Sequence, residues 1–229
     1  MKIAICTPYY GQVTMEYAQS LSRMITCTLR TRIVWNGVEV EPEIEVFTIS
    51  SSILPWARNS LVEVAVKWGA DYLLWIDADQ KFPVDALLRL LTLGFPIVGA
   101  NYARRGEPVW PTAIGLDGKR VITTKALADS GQVVEVATLG LGFCLVTMSV
   151  IHALREELPN GEQEPLFAYQ WFSGGLQLAG EDTFFFRRAR KAGFAVHLDH
   201  ALSWHIGHVY HKLLTHADVD SGRADEWPP

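Results

Sequence analysis

The chain has 229 residues, of which 49% are hydrophobic, and a formal net charge of −5 at pH 7. This length and apolar content suit one large α/β domain, and the lack of a basic surplus argues against a protein whose main partner is nucleic acid. The three cysteines are scattered without a Cys-x-x-Cys spacing, and the apolar stretches are too short for a signal peptide or a membrane span, so we expect a cytoplasmic protein without disulfides.

Strands and helices alternate over the first hundred residues. Short runs rich in Ile, Val and Leu and segments of helical periodicity predict, in chain order, strand 2–7, helix about 14–30, strand 43–49, helix 55–68, strand 72–76, helix 83–93 and strand 96–100. Such alternation predicts a parallel sheet that is flanked by helices on both faces.

From about residue 105 the predicted elements become shorter and more mixed. They are strands at 133–138 and 142–148, a helix at about 149–158, an aromatic loop at 167–172, a helix at 181–191, a strand at 195–198 and then a histidine-rich segment. We therefore predict a single α/β domain over 1–217, with a mixed or antiparallel second half, and a polar tail at 218–229.

Two carboxylates follow the most apolar predicted strand. After Tyr-Leu-Leu-Trp-Ile at 72–76 comes Asp77-Ala78-Asp79, and alternate side chains of an extended segment share a face, so both carboxylates can reach one cation while Ala78 points away. Their oxygens suit magnesium or manganese, which proteins often bind with one or two carboxylates and the phosphates of a substrate. A pair of aspartates that caps the turn after the strand is an equally good interpretation.

A second acidic pair, Glu181 and Asp182, opens the predicted helix at 181–191. Acidic residues in the first turn and basic residues in the last complement the helix dipole, which is a sufficient structural reason for the pattern. The functional alternative is that the glycine-rich segment at 173–180 projects the pair into a cleft, where one carboxylate takes a proton from a hydroxyl group.

Six of the seven histidines lie between His197 and His216. The spacing of His205, His208 and His211 permits three imidazoles on one helix face, but there is no neighbouring cysteine and no His-Glu-x-x-His, so a zinc hydrolase is a minor alternative. His205 follows the last predicted strand and can complete a site begun by Asp79. An imidazole ligand would favour manganese over magnesium.

Taken together, these features resemble a GT-A fold glycosyltransferase of the large inverting family that includes many small bacterial and phage sugar transferases. The resemblance covers about residues 2–210. It is carried, in order, by Thr7-Pro8-Tyr9-Tyr10 at a strand end, Ala57-Arg58-Asn59 at a helix start, Asp77-Ala78-Asp79 with Phe82-Pro83 after it, and Gly180-Glu181-Asp182 with Ala192-Gly193-Phe194 before His205-Ile206-Gly207.

The resemblance implies a three-layer, mostly parallel GT-A sandwich, in which about 1–104 bind the nucleotide and about 105–217 bind the acceptor and carry the catalytic groups. It further implies a nucleoside-diphosphate sugar as donor, with UDP favoured, and a Mn²⁺ or Mg²⁺ ion. The implied donor-binding residues are Thr7, Pro8, Tyr9, Arg58, Asp77 and Ala78. The implied metal ligands are Asp77, Asp79 and His205, and the implied catalytic residues are Asp182 as base and Glu181 as the second candidate.

Several alternatives stay open at this point. The transfer can be inverting or retaining, and the acceptor can be a saccharide, a small molecule, a protein or a hydroxymethylated base in phage DNA. A nucleotidyltransferase is disfavoured because the loop after the first strand, residues 6–12, has one glycine and no basic residue to bind a triphosphate. A non-catalytic nucleotide-sugar-binding module would need the strand-end aspartates but not Asp182.

Overall fold

The computed structural model describes residues 1–35, 37–155, 164–172, 177–210 and 213–219. Its helices are α1 (Met15–Leu29), α2 (Leu54–Trp68), α3 (Ala86–Leu93), α4 (Lys125–Ser130), α5 (Met148–Leu154), α6 (Glu181–Lys191) and α7 (His200–Ser203). Its strands are β1 (Lys2–Tyr9), β2 (Ile33–Trp35), β3 (Val38–Val40), β4 (Glu43–Ser50), β5 (Tyr72–Ile76), β6 (Gln80–Lys81), β7 (Ile97–Gly99), β8 (Val133–Val136), β9 (Phe143–Thr147), β10 (Gln170–Phe172), β11 (Gln177–Ala179), β12 (Val196–Asp199), β13 (Gly207–Val209) and β14 (Leu213–Leu214).

The central sheet has seven strands in the order β4-β1-β5-β9-β7-β12-β8. β4, β1, β5, β7 and β12 run in one direction, whereas β9 and β8 run antiparallel to their neighbours. The two reversed strands both come from the second half of the chain. The predicted α/β class, with a mostly parallel sheet and a mixed C-terminal half, is therefore confirmed.

The sheet is the middle of three layers, as the side chains of β5 illustrate. Leu73 and Trp75 join one hydrophobic core, which includes residues of α2, α5 and α6, while Leu74 and Ile76 join a second core with residues of α1 and α3. Successive side chains of a strand point to opposite faces, so a continuous apolar run can serve both cores only when helices cover both faces. This explains why the run at 72–76 shows no alternation of apolar and polar residues.

Local signals account for several helix ends. Thr14 accepts a hydrogen bond from the Tyr17 N–H at the start of α1, and Gly69 ends α2 in the left-handed conformation at φ 76°. The predicted start of α3 at 83 is wrong, because Pro83 begins a turn that closes when Ala86 N–H donates to the Pro83 carbonyl. α5 ends at Leu154, and the remainder of its predicted span, 156–158, lies outside the described residues.

The sequence did not predict the hairpins β2–β3 and β10–β11 or the small antiparallel sheet β14-β13-β6. The last of these replaces the helix that the histidine spacing permitted. α7 ends at Ser203 and β13 begins at Gly207, so His205 lies in a turn and His208 in a strand, while His211 lies outside the described residues. In the parts of the chain that are described, no helix is long and apolar enough to cross a membrane.

Candidate functional site

A cavity of about 720 Å³ lies at the carboxyl ends of β1, β4 and β5. Strands that run in parallel present these ends at one edge of the sheet, where α/β proteins usually bind ligands. Five of the predicted site residues line it, namely Pro8, Tyr9, Asp77, Ala78 and Asp79. The other walls include Tyr10, Ser51, Arg105, Val209 and Tyr210. The cavity is large enough for a nucleotide-sized ligand.

Thr7 lies beneath the part of the cavity that the end of β1 forms. Its side chain is fully buried, and its hydroxyl lies 2.7 Å from the hydroxyl of Tyr17 in α1. The hydrogen bond ties the end of β1 to α1, so Thr7 fixes the position of Pro8 and Tyr9 and does not itself line the cavity.

Asp77 and Asp79 belong to a turn that follows β5 and not to the strand itself. β5 ends at Ile76, and the Gln80 N–H donates to the Asp77 carbonyl over 3.1 Å, which closes a four-residue turn. The two-residue alternation of a strand stops where the turn begins. As a result the two carboxylates find different partners, Asp77 with α2 and Asp79 with β13.

Arg58 of α2 connects Asp77 to the start of α6. Its side chain is almost completely buried, and it donates from Nη2 to Asp77 Oδ1 over 2.9 Å and from Nε to Glu181 Oε1 over 3.2 Å. Burial acts to lower the pKa of Arg58, but the charges of Asp77 and Glu181 outweigh it and raise that pKa. The guanidinium therefore stays charged and holds both carboxylates in place.

Asp182 follows Glu181 in the first turn of α6 and differs from it in having no ion pair with Arg58. Burial is the largest influence and raises the pKa of Asp182 above its usual range, against the opposing Thr183 N–H, which donates to Oδ1 over 2.6 Å, and the charge of Arg58. The Gly180 backbone approaches this carboxylate closely, since a Cβ at that position would lie 2.8 Å from Asp182 Oδ1. Asp182 is thus a carboxylate with increased basicity and a fixed position.

Asp79 lies between an imidazole and a guanidinium. His208 Nε2 is 3.3 Å from Asp79 Oδ1, and Arg105 Nη2 is 3.0 Å from Asp79 Oδ2. Burial acts to raise the pKa of Asp79, but the hydrogen bond with His208 and the charges of His208 and Arg105 outweigh it and lower that pKa. The carboxylate is therefore ionised at neutral pH.

The orientation of His208 makes this pair suitable for a metal ion. His208 Nδ1 lies 2.8 Å from the Ala103 carbonyl, which can only accept, so Nδ1 carries a proton and Nε2 is the ring nitrogen that faces Asp79. Asp79 Oδ1 is buried, and His208 Nε2 lies 3.3 Å from it. A carboxylate oxygen and an imidazole nitrogen that face each other in this way would share a cation that replaces a proton on Nε2, and a carbonyl that fixes the second ring nitrogen is usual for a histidine ligand.

The structure does not bring together the three predicted metal ligands. Asp77 is paired with Arg58, and His205 is exposed in the turn after α7, where its N–H donates to the Leu202 carbonyl. His208, and not His205, lies beside Asp79, because the pairing of β13 with β6 puts His208 opposite Gln80. Among the described residues, no group of three or more His, Cys, Asp or Glu side chains is arranged to hold a metal, so Asp79 and His208 would bind it together with ligand atoms.

No protein-family model and no curated protein matches the sequence. Among solved structures the chain is similar to A197 from STIV, with 15% identity, 94% of each chain covered and a TM-score of 0.56. It is also similar to GalNAc-T7 solved with UDP, GalNAc and Mn²⁺, with 13% identity and a TM-score of 0.53, over 92% of this chain but only 44% of that one. At such low identity the likeness shows the fold alone, which is of the GT-A type.

Proposed function

We propose that this protein is a metal-dependent glycosyltransferase that moves a sugar from a nucleoside-diphosphate sugar, with UDP favoured, to an acceptor hydroxyl group with inversion of configuration. One observation carries the proposal: in a GT-A fold, Arg58 joins the Asp77 wall of the cavity to the helix start that bears Asp182. Asp77, two residues before Asp79, and the basic carboxylate of Asp182 are thereby held at the same edge of the sheet.

The charges of the site support a donor that binds together with a divalent cation. Of the charged side chains that the described residues contribute to the cavity wall, two are carboxylates, those of Asp77 and Asp79, and one is a guanidinium group, that of Arg105. An anionic diphosphate would meet a surplus of negative charge there. Mn²⁺, or less favourably Mg²⁺, bound by Asp79 and His208, would supply the positive charge that stabilises the leaving nucleoside diphosphate.

The donor assignment draws on GalNAc-T7, a protein of the same fold that was solved with UDP, GalNAc and Mn²⁺. The cavity offers the side chains that such a donor requires. Tyr9, Tyr10 and Tyr210 provide aromatic surface for a base, and Ser51 and Ser52 provide hydrogen-bonding groups at the end of β4.

Asp182 is the proposed general base. It takes the proton from the acceptor hydroxyl as that oxygen attacks the anomeric carbon, while the bond from this carbon to the donor phosphate oxygen breaks on the opposite face. Inversion follows from this in-line geometry. A raised pKa suits a carboxylate that must accept a proton, and Glu181, which is held by Arg58, keeps the helix start in position.

We extend the proposal to the whole chain and its location. Residues 1–217 would form one domain, since the central sheet takes strands from both predicted halves. The proposed location is the cytoplasm, where Cys6, Cys27 and Cys144 would remain the free thiols that the structure has.

The test compares Asp182→Asn with Glu181→Gln and the wild-type protein. Release of nucleoside diphosphate from a panel of nucleotide sugars with Mn²⁺ and a saccharide acceptor mixture reports turnover, and calorimetry with UDP and Mn²⁺ reports binding. We expect Asp182→Asn to lose about 10²–10⁴-fold in turnover, the usual contribution of a positioned base, with unchanged UDP affinity. A variant that keeps full turnover would overturn the assignment of the base, and a wild-type protein that binds no nucleoside diphosphate would overturn the function.

A further inference from the structure

Arg105 is part of the site although no sequence pattern pointed to it. Among the described residues that line the cavity, it is the one with a positively charged side chain. Its side chain is 52% exposed, while that of its partner Asp79 is 19% exposed, so the ion pair joins a half-exposed cation to a largely buried carboxylate. Arg105 contacts Oδ2 of Asp79, while His208 faces the other carboxylate oxygen, Oδ1.

The backbone that carries Arg105 is anchored on both sides. The Ala103 carbonyl accepts from His208 Nδ1, the Arg104 N–H donates to the Trp110 carbonyl over 2.7 Å, and the Thr112 N–H donates to the Tyr102 carbonyl over 3.0 Å. These bonds fix the base of the loop at the rim of the cavity. The long side chain of Arg105 can therefore change partners without any movement of the loop base.

We propose that Arg105 is an exchangeable counter-ion of the donor site. In the free protein it neutralises Asp79, and when a divalent cation binds Asp79 and His208 the guanidinium is repelled and pairs instead with the diphosphate of the donor. This inference rests on the proposed function. A guanidinium suits the second role, because its planar fork matches phosphate oxygens and its hydration is weaker than that of an ammonium group.

Arg58 cannot take this role. Its guanidinium is buried between Asp77 and Glu181, and a change of partner would leave two carboxylates unpaired. Arg105 loses little when it leaves Asp79, because ion pairs with an exposed partner contribute little free energy. The site thus contains one fixed and one exchangeable cation.

This exchange couples metal and nucleotide binding. Arg105 competes with Mn²⁺ for Asp79 in the free protein and therefore weakens metal binding. The diphosphate draws Arg105 away, so nucleotide and metal each strengthen the binding of the other. Removal of Arg105 should therefore have opposite effects on the two ligands, which a residue with only a structural role would not produce.

The experiment compares Arg105→Ala with Arg104→Ala, which removes the same charge from the adjacent exposed position, and with the wild-type protein. Free Mn²⁺ is followed by electron paramagnetic resonance without nucleotide, and UDP binding is followed by calorimetry at saturating Mn²⁺. We expect Arg105→Ala to bind Mn²⁺ about two- to fivefold more tightly, the range given by loss of a partly exposed ion pair. We expect its UDP affinity to fall about five- to tenfold, as for loss of one charge-assisted phosphate contact.

Two results would overturn the inference while leaving the proposed function intact. One is an Mn²⁺ affinity of Arg105→Ala equal to that of Arg104→Ala, and the other is an unchanged UDP affinity. Arg105→Lys serves as a second variant that keeps the charge and should restore part of the UDP affinity. If the wild-type protein binds Mn²⁺ but no UDP, both the proposed function and the second role of Arg105 are wrong.

Discussion

Replacement of Arg58 is the most direct perturbation of the charge balance at this site. Its guanidinium is buried and forms ion pairs of 2.9 Å with Asp77 and 3.2 Å with Glu181. In Arg58→Met an apolar side chain of similar length removes the cation without leaving a large cavity. Removal of one partner of a buried ion pair costs about 3–5 kcal/mol, and each kcal/mol lowers the melting temperature of a domain of this size by about 2–4 °C. We therefore expect the melting temperature at pH 7.5 to fall by about 6–20 °C.

The loss should be smaller in acid. Burial raises the pKa of Glu181 against the opposing charge of Arg58, and removal of that charge raises it further. When the pKa of a carboxyl group is higher in the folded protein than in the unfolded chain, the free energy of unfolding falls as the pH rises towards the pKa of the folded protein. Below the unfolded pKa the group is protonated in both states, and this penalty is absent.

Differential scanning calorimetry at pH 5 and pH 7.5 measures the difference. Glu181→Gln on the Arg58→Met background removes one of the unpaired charges and should recover part of the lost stability. If the two pH values give equal losses and the double variant recovers nothing, the contribution of Arg58 is packing against its neighbours, and the electrostatic explanation of the site is refuted.

Three further outcomes follow from the contacts of the site. His208→Ala should abolish the Mn²⁺ dependence of UDP binding in calorimetry, while the matched His205→Ala should retain it; equal behaviour of the two variants would exclude His208 as a ligand. Gly180→Ala should reduce turnover at least about tenfold with little change in melting temperature, because the added methyl displaces the Asp182 carboxylate from its position. Turnover measured against pH should fall as the pH drops through the raised pKa of Asp182, since the protonated carboxyl cannot accept a proton. A profile that stays flat into the usual range of an aspartate would contradict this role.

The features that the sequence predicts well are local ones. The first strand, α2 with Pro55 in its first turn and Gly69 at its end, and the strand at 72–76 were predicted within a few residues, because apolar periodicity and helix capping act between near neighbours. The position of Asp182 at a helix start follows from the same kind of signal. These elements are sufficient to predict the fold class.

The partners of the site residues depend instead on contacts between distant parts of the chain. Arg105 and His208 reach Asp79 only because the loop after β7 and the strand β13 meet at the turn after β5. Six histidines of similar sequence context lie within twenty residues, and no periodicity separates His208 from His205. The pairing of β13 with the two-residue strand β6 determines which histidine lies beside Asp79. The register of so short a pair is set by tertiary packing.

The turn after β5 gives the site its organisation. Had β5 continued as a strand, Asp77 and Asp79 would share a face and could bind one cation together. Because the chain turns at Asp77, this carboxylate is bound to the buried Arg58 and oriented towards α6, while Asp79 is left to His208 and Arg105. The buried ion pair then holds the helix start that carries the proposed base, and the ion pair of Asp79 with Arg105 lies at the cavity where the donor would bind. Two carboxylates only two residues apart thus have different surroundings, a buried ion pair for Asp77 and the proposed cation site for Asp79.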